Sequence, residues 1–142
     1  MISLLDVNML VALFDAAHVH HQAAQAWITK NRALGWATCP ITQNGCVRVM
    51  SQPLYPGALP VAEMVRRLTG AIAAEDHTFW PDTVSLCDRN RFELGPAVMP
   101  RALTDIYLLA LSRENGGRLV TFDRAISLAN VRASRAANLL VL

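Results

Sequence analysis

The chain has 142 residues, of which 53% are hydrophobic and 17% charged, and its formal net charge is +2. This length and composition predict one globular domain, residues 1–142, and exclude disorder as a global description. No apolar run reaches the roughly 18 residues that cross a bilayer, and residues 1–14 lack the basic flank and cleavage site of a signal peptide, so we expect a cytoplasmic protein without membrane contact.

Short apolar runs alternate with segments of helical periodicity. In chain order we predict a strand at residues 2–5, helices at 9–14 and 20–31, a strand at 35–39, a helix at 41–51, a loop at 52–60, a helix at 60–74, a strand at 78–80, a helix at 85–94, a loop at 95–101, a helix at 105–115, and strands at 118–122 and 138–142. Thr42 and Thr104 are the predicted caps of the third and last helices. Continuously apolar strands alternating with helices predict an α/β fold, a central parallel five-stranded sheet with helices on both faces.

Missing motifs exclude several common classes of site. The chain has no Walker A phosphate loop, no G-x-G-x-x-G fingerprint, no G-x-S-x-G elbow and no H-E-x-x-H zinc helix. Its three cysteines show no C-x-x-C spacing, which argues against a disulfide scaffold or structural zinc. Residues 89–142 carry eight arginines and four acidic residues. That excess permits a polyanionic partner, although a genomic bias toward Arg explains it equally well.

Three aspartates fall where ligands bind in parallel sheets, beyond the carboxyl ends of the strands. Asp6 follows the first predicted strand, Asp123 follows the fourth, and Asp105 begins the last helix. Each alone is explained as a helix cap or a turn residue. Together they are expected to repel one another, and a divalent cation relieves that repulsion. Oxygen ligands without His or Cys favour Mg²⁺ or Mn²⁺, so the pattern predicts metal-assisted hydrolysis of a phosphodiester.

Six segments, in this order, resemble the PIN-domain ribonucleases and more narrowly the VapC-type toxins of bacterial toxin–antitoxin pairs. They are LLDVN at 4–8, HVHH at 18–21, TQNGCVRV at 42–49, FWP at 79–81, LTDIYLLAL at 103–111 and LVTFD at 119–123. The resemblance implies a five-stranded parallel sheet, Mg²⁺-dependent endonuclease activity on RNA, a homodimer and a cognate VapB-like antitoxin. Cleavage in this family leaves a 3′-hydroxyl and a 5′-phosphate.

The resemblance also assigns site residues. It implies that Asp6, Asp105 and Asp123 are the catalytic acids that bind the metal. It further implies that nearby polar side chains support them, namely Asn8, Thr104 and Thr121.

Asn44 occupies a position on the third helix where the family often has Glu. Its carbonyl oxygen can still bind a metal or accept from a metal-bound water, and we assign it to the catalytic site with one negative charge fewer. The alternative is a polar residue near the helix start that has no metal role.

Two arginines lie one helical turn from predicted site residues. Arg48 follows Asn44 by four positions and Arg101 precedes Asp105 by four. Either is expected to bind substrate phosphate, or to pair structurally with a site acid. The histidines at 18, 20 and 21 are assigned to capping or packing, with RNA contact or acid–base chemistry as the alternative.

Three functions stay open on this reasoning, in decreasing order of support. The first is a Mg²⁺-dependent endoribonuclease that an antitoxin holds inactive. The second is a catalytically weak module on the same fold that binds RNA or protein, which the neutral Asn44 suggests. The third is a metal-dependent phosphatase or nuclease that acts on small or DNA substrates.

Overall fold

Five short strands pair in parallel to form one sheet in the computed structural model, which describes residues 1–142. The strands are β1 (Ser3–Leu5), β2 (Trp36–Thr38), β3 (His77–Phe79), β4 (Arg118–Thr121) and β5 (Leu139–Val141), in the order β3-β2-β1-β4-β5. The central strand is β1, where Ser3 pairs with Trp36 on one side and with Arg118 on the other. The all-parallel sheet confirms the predicted α/β fold.

Five α-helices connect and flank the strands. They are α1 (Val7–Phe14), α2 (His21–Asn31), α3 (Pro40–Met50), α4 (Val61–Ile72) and α5 (Leu103–Glu114). Single turns of 3-10 helix lie at Arg32–Leu34, Pro100–Ala102, Leu128–Asn130 and Ala136–Asn138. No helix combines the length and apolar character that crossing a membrane requires.

Successive residues of the central strands serve opposite faces of the sheet. Leu4 and Leu119 belong to a buried cluster that includes α5. Leu5 and Val120, the next residues, belong to a second buried cluster that includes α1 and α3. Because side chains alternate across a strand with a period of two, fully apolar strands supply a core on each face. Helices cover both faces, as predicted.

Helices α1 and α3 approach each other closely at Gly45. A Cβ atom on Gly45 would lie 2.5 Å from Cγ2 of Val7, the first residue of α1. The absence of a side chain therefore sets the distance between the two helices. This contact places Asn44 beside the segment that begins with Asp6.

The predicted helix at residues 85–94 is wrong, because this segment forms turns. The side chains of Ser85 and Asp88 each accept a hydrogen bond from the backbone N–H two residues later, at 3.2 and 2.9 Å. Such local acceptors compete with the hydrogen bonds of a helix. Phe92 is then buried through an antiparallel bridge to Val131.

The predicted caps Thr42 and Thr104 are wrong in position. Cys39 is the N-cap of α3, and Thr42 lies three residues later, where its Oγ1 accepts from the Cys39 N–H at 3.0 Å. Ala102 is the N-cap of α5, because a 3-10 turn runs directly into that helix. Thr104 is consequently the second residue of α5 rather than its cap.

Candidate functional site

Asp6 ends β1 and caps α1, and both of its carboxylate oxygens are hydrogen-bonded. Oδ1 accepts from the Val7 N–H at 2.6 Å, and Oδ2 accepts from the Thr121 hydroxyl at 2.6 Å. The residue is only 4% exposed. Burial raises the pKa of the Asp6 carboxyl, the two hydrogen bonds act to lower it, and the charge of Asp123 acts to raise it. Asp6 is therefore a buried acid with a fixed orientation.

The hydroxyl of Thr121, the last residue of β4, connects three parts of the site. It donates to Asp6, and it accepts from the Asn8 Nδ2 at 2.9 Å and from the Asp123 N–H at 3.0 Å. The Asn8 Oδ1 in turn accepts from the Phe122 N–H at 3.2 Å. A hydroxyl has one donor and two acceptor positions, and all three are used here. The end of β4 is thereby tied to the start of α1.

Asp105 and Asp123 are the other two acids at this edge of the sheet. Asp105 lies in the first turn of α5, and Asp123 follows β4, where its Oδ1 accepts from the Ala125 N–H at 2.7 Å. Both side chains are half-buried. Burial, the charges of Asp6 and Asp123, and a hydrogen-bonding contact with Asp123 raise the pKa of Asp105 to about 7. The charges of the three aspartates therefore act on one another.

No protein cation offsets this concentration of acids. None of the six ion pairs in the molecule includes Asp6, Asp105 or Asp123. In the observed arrangement, however, no three His, Cys, Asp or Glu side chains are placed to hold a metal ion together. The donor chemistry suits a hard divalent cation, since it consists of carboxylate oxygens without a countercharge. The expected three-aspartate ligand set is not closed in this conformation.

Two cavities lie near the acids. One, of about 270 Å³, is lined by Asp105 and Asp123 together with Arg101. The other, of about 360 Å³, includes Asn44 and Arg48 in its lining. Both arginines are exposed and neither forms an ion pair, so the alternative of a structural pairing with a site acid is not realised.

Thr104 and Asp82 complete the polar lining of the cavity that contains Asn44. Thr104, expected beside Asp105, is exposed. Asp82 was not predicted as a site residue. Its signal was present in the sequence, because it follows β3 by three positions and so lies at the same edge of the sheet as Asp6. Burial raises the pKa of the Asp82 carboxyl, and a hydrogen bond with Cys39 acts to lower it.

The histidines make packing contacts rather than a metal cluster. The His21 Nδ1 donates to the Ala12 carbonyl at 2.7 Å, which fastens the start of α2 to α1. The His18 Nδ1 accepts from the His20 N–H at 3.1 Å. The His20 ring stacks on Phe122 with the ring centroids 4.2 Å apart.

The fold and the site together define a class of protein. It is an α/β protein with a five-stranded parallel sheet and a group of aspartates, drawn from three separate elements, at the carboxyl edge of that sheet. The family model of the PIN domain matches residues 3–132, and the chain belongs to this family.

Curated relatives cover nearly the whole chain. Ribonuclease VapC44 of Mycobacterium tuberculosis is 48% identical over 129 residues, which are 91% of this chain and 91% of that protein. Ribonuclease VapC38 of the same organism is 43% identical over 142 residues, 99% of each chain. Ribonuclease VapC39 is 42% identical over 128 residues, 89% of this chain and 92% of that protein. The resemblance noted in the sequence is confirmed.

Proposed function

We propose that this protein is a Mg²⁺-dependent endoribonuclease that hydrolyses RNA phosphodiester bonds, and that it is the toxin of a VapBC-type toxin–antitoxin pair. The observation that carries the proposal is the group of three interacting aspartates at the sheet edge, which no Arg or Lys neutralises. The names of the relatives, ribonucleases of the VapC type, support RNA as the substrate.

Mg²⁺, with Mn²⁺ as a substitute, would be held by Asp6, Asp105 and Asp123. Such an ion, when bound, lowers the pKa of water and offsets the charge that develops on phosphate oxygens. Thr121 fixes the carboxylate of Asp6 by donating to its Oδ2. Asn8 fixes Thr121 in turn by occupying one of its acceptor positions. These two polar residues position an acid and need no contact with the substrate.

Arg48 and Arg101 are proposed to bind the RNA backbone, each from one of the two cavities near the acids. Each is exposed and lines one of the two cavities. A guanidinium group without a carboxylate partner is available for a phosphate, which it can bind through two parallel hydrogen bonds. Asn44, which shares a cavity with Arg48, is proposed to orient water or phosphate through its neutral amide.

A VapB-like antitoxin and a second copy of the chain are the proposed protein partners. Exposed apolar side chains are available for such contacts, with Leu54 at 97%, Val61 at 60% and Val65 at 45% exposure. Val61 and Val65 line a cavity of about 480 Å³ between α3 and α4 that also reaches Asn44 and Arg48. A segment bound there would lie beside the proposed RNA site and would block access to it.

The test is RNA cleavage by the purified chain without its antitoxin, with Mg²⁺, with Mn²⁺ and with excess chelator. We expect discrete fragments with 5′-phosphate and 3′-hydroxyl ends, formed only when a divalent ion is present. Asp6→Asn should fold and lose cleavage. Glu75→Gln, which removes one exposed carboxylate away from the site, is the charge-matched control and should cleave normally. DNA and nucleotide substrates in the same assay test the third function.

Two observations favour a second candidate, a catalytically weak binding module on the same fold. Asn44 is neutral, and the three aspartates do not form a closed ligand set. Such a module would retain RNA without cutting it, whatever ion is added. RNA retention by both the wild type and Asp6→Asn, with no fragments from either, would establish this candidate over the enzyme.

A further inference from the structure

The exposed imidazole of His20 lies flat against Phe122 at the carboxyl edge of the sheet. The two ring planes differ by only 9° and the centroids are 4.2 Å apart. Phe122 is the residue between Thr121 and Asp123, and its N–H donates to Asn8 at 3.2 Å. The backbone that positions the acids therefore also positions this pair of stacked rings, one residue away from Asp123.

No hydrogen bond explains the orientation of the His20 ring. It immediately precedes α2, but its side chain caps nothing, and neither ring nitrogen has a hydrogen-bond partner in the protein. The His18 ring is tilted by 42° to that of His20 at 5.7 Å, and it does not stack on it. The start of α2 is fastened to α1 by His21 instead. His20 is thus a flat ring that is supported on one face by Phe122 and exposed to solvent.

We propose that the His20–Phe122 stack is the platform on which one base of the RNA stacks, next to the phosphodiester that is cut. This inference rests on the proposed ribonuclease function. Proteins that bind single-stranded RNA commonly stack its bases on aromatic side chains, histidine among them. Arg48 and Arg101 are the groups suited to phosphate, whereas His20 offers a ring face. The ligand of this subsite is therefore a nucleobase.

Three substitutions at position 20 separate stacking from packing and from charge. His20→Ala removes the ring, His20→Leu covers Phe122 with an apolar but non-aromatic side chain, and His20→Phe keeps an aromatic ring without its N–H groups. We expect KM for RNA to rise about 5- to 10-fold in the Ala and Leu variants, while kcat changes less than about twofold. The Phe variant should restore KM to near the wild-type value. Val19→Ala, at a neighbouring residue with 85% exposure, is the control.

A second measurement uses RNA in which the bases around the cleavage site are removed one at a time. For the wild type, one abasic position should raise KM by the same factor as His20→Ala. In His20→Ala, the same abasic position should not raise KM any further, because the two changes remove the same contact. Thermal unfolding of each variant, with the melting temperature kept within a few degrees of the wild type, shows that the fold is intact.

The outcomes distinguish this inference from the function on which it rests. The inference fails if the wild type cuts RNA and His20→Leu has the same KM as His20→Phe. It also fails if the abasic RNA and His20→Ala raise KM by factors that multiply. In either case the two rings only pack against each other and do not bind a base. If His20→Phe is as weak as His20→Ala, the imidazole nitrogens are the contact and stacking is again refuted. If the wild type cuts no RNA under any condition, the proposed function itself has failed.

Discussion

The contact between Gly45 and Val7 can be tested by one methyl group. In Gly45→Ala the new Cβ would lie 2.5 Å from Cγ2 and 3.3 Å from Cγ1 of Val7. Carbon atoms pack at about 3.5–4.0 Å, so the overlap is roughly 1 Å. Val7 cannot relieve it by rotation, because a β-branched side chain in a helix has one strongly preferred χ1 and both of its methyl groups face Gly45. The helices must separate.

The expected cost follows from two opposing effects. Overpacking of this kind costs about 1–3 kcal/mol. Because Val7 cannot rotate away from the new methyl group, we expect a cost near the upper end of that range. Alanine is better than glycine in a helix by about 1 kcal/mol, which offsets part of the cost. The net loss is about 2 kcal/mol, or a fall in Tm of about 6 °C for a domain of this size.

Gly70 provides the matched control. It lies in α4, is exposed, and has no atom within 4 Å of a Cβ built on it. Gly70→Ala should raise the unfolding free energy by about 1 kcal/mol, because only the helix propensity changes. Urea and thermal unfolding of both variants measure the contrast. Gly45→Ala should cease to destabilise when Val7 is also replaced by Ala. Equal stability of the two glycine variants, or equal destabilisation in both Val7 backgrounds, would refute the reasoning.

Three further predictions concern a threonine, an aspartate and the cysteines. Thr121→Val should lower the unfolding free energy by about 2–3 kcal/mol, because it leaves several buried polar groups without their partner, and Thr121→Ser should recover most of that loss in urea unfolding. Asp105 has a pKa of about 7 when folded, whereas an unfolded Asp titrates near pH 4, so its contribution to stability is lost as the pH rises through 7. In chelator, the unfolding free energy of Asp105→Asn relative to the wild type should therefore rise by about 1–2 kcal/mol between pH 4 and pH 8, a value reduced because the side chain is half-exposed. A difference in Tm that does not change with pH would contradict this. Cys87 is exposed and should react with a thiol reagent in the native protein. Cys39 and Cys46 are buried, and burial raises the pKa of both thiols, that of Cys46 to about 12, so they should react only in denaturant. Mass spectrometry of the labelled protein measures which cysteines react.

The sheet could be predicted because its strands are locally unambiguous. Leu4, Leu5, Leu119 and Val120 lie in short apolar runs bounded by polar residues, which are too short for a helix and suit a strand buried on both faces. The acids could be predicted because Asp6 follows one of these runs directly. The rule for parallel sheets then places them at one edge without any knowledge of the intervening chain.

The rest depended on contacts that no local pattern specifies. Residues 85–94 have enough apolar positions for a helix, yet the bridge from Phe92 to Val131 links segments almost forty positions apart. The start of α5 depends on a 3-10 turn that continues into the helix, so Thr104 is not at the cap position that its residue type favours. The stack of His20 on Phe122 likewise joins two elements whose sequences show no sign of each other.

The three aspartates differ in how strongly the protein fixes their side chains. Asp6 is 4% exposed and has a hydrogen bond on each oxygen. Asp105 and Asp123 are half-buried, and the only backbone hydrogen bond to either is from Ala125, within the same loop as Asp123. Under the proposed function, the side chains that would have to move to hold a cation are therefore those of Asp105 and Asp123, whereas Asp6 is already fixed. Burial first, and then the charges of Asp6 and Asp123, raise the pKa of Asp105, and a divalent cation held as proposed would relieve the part of that cost that comes from charge repulsion.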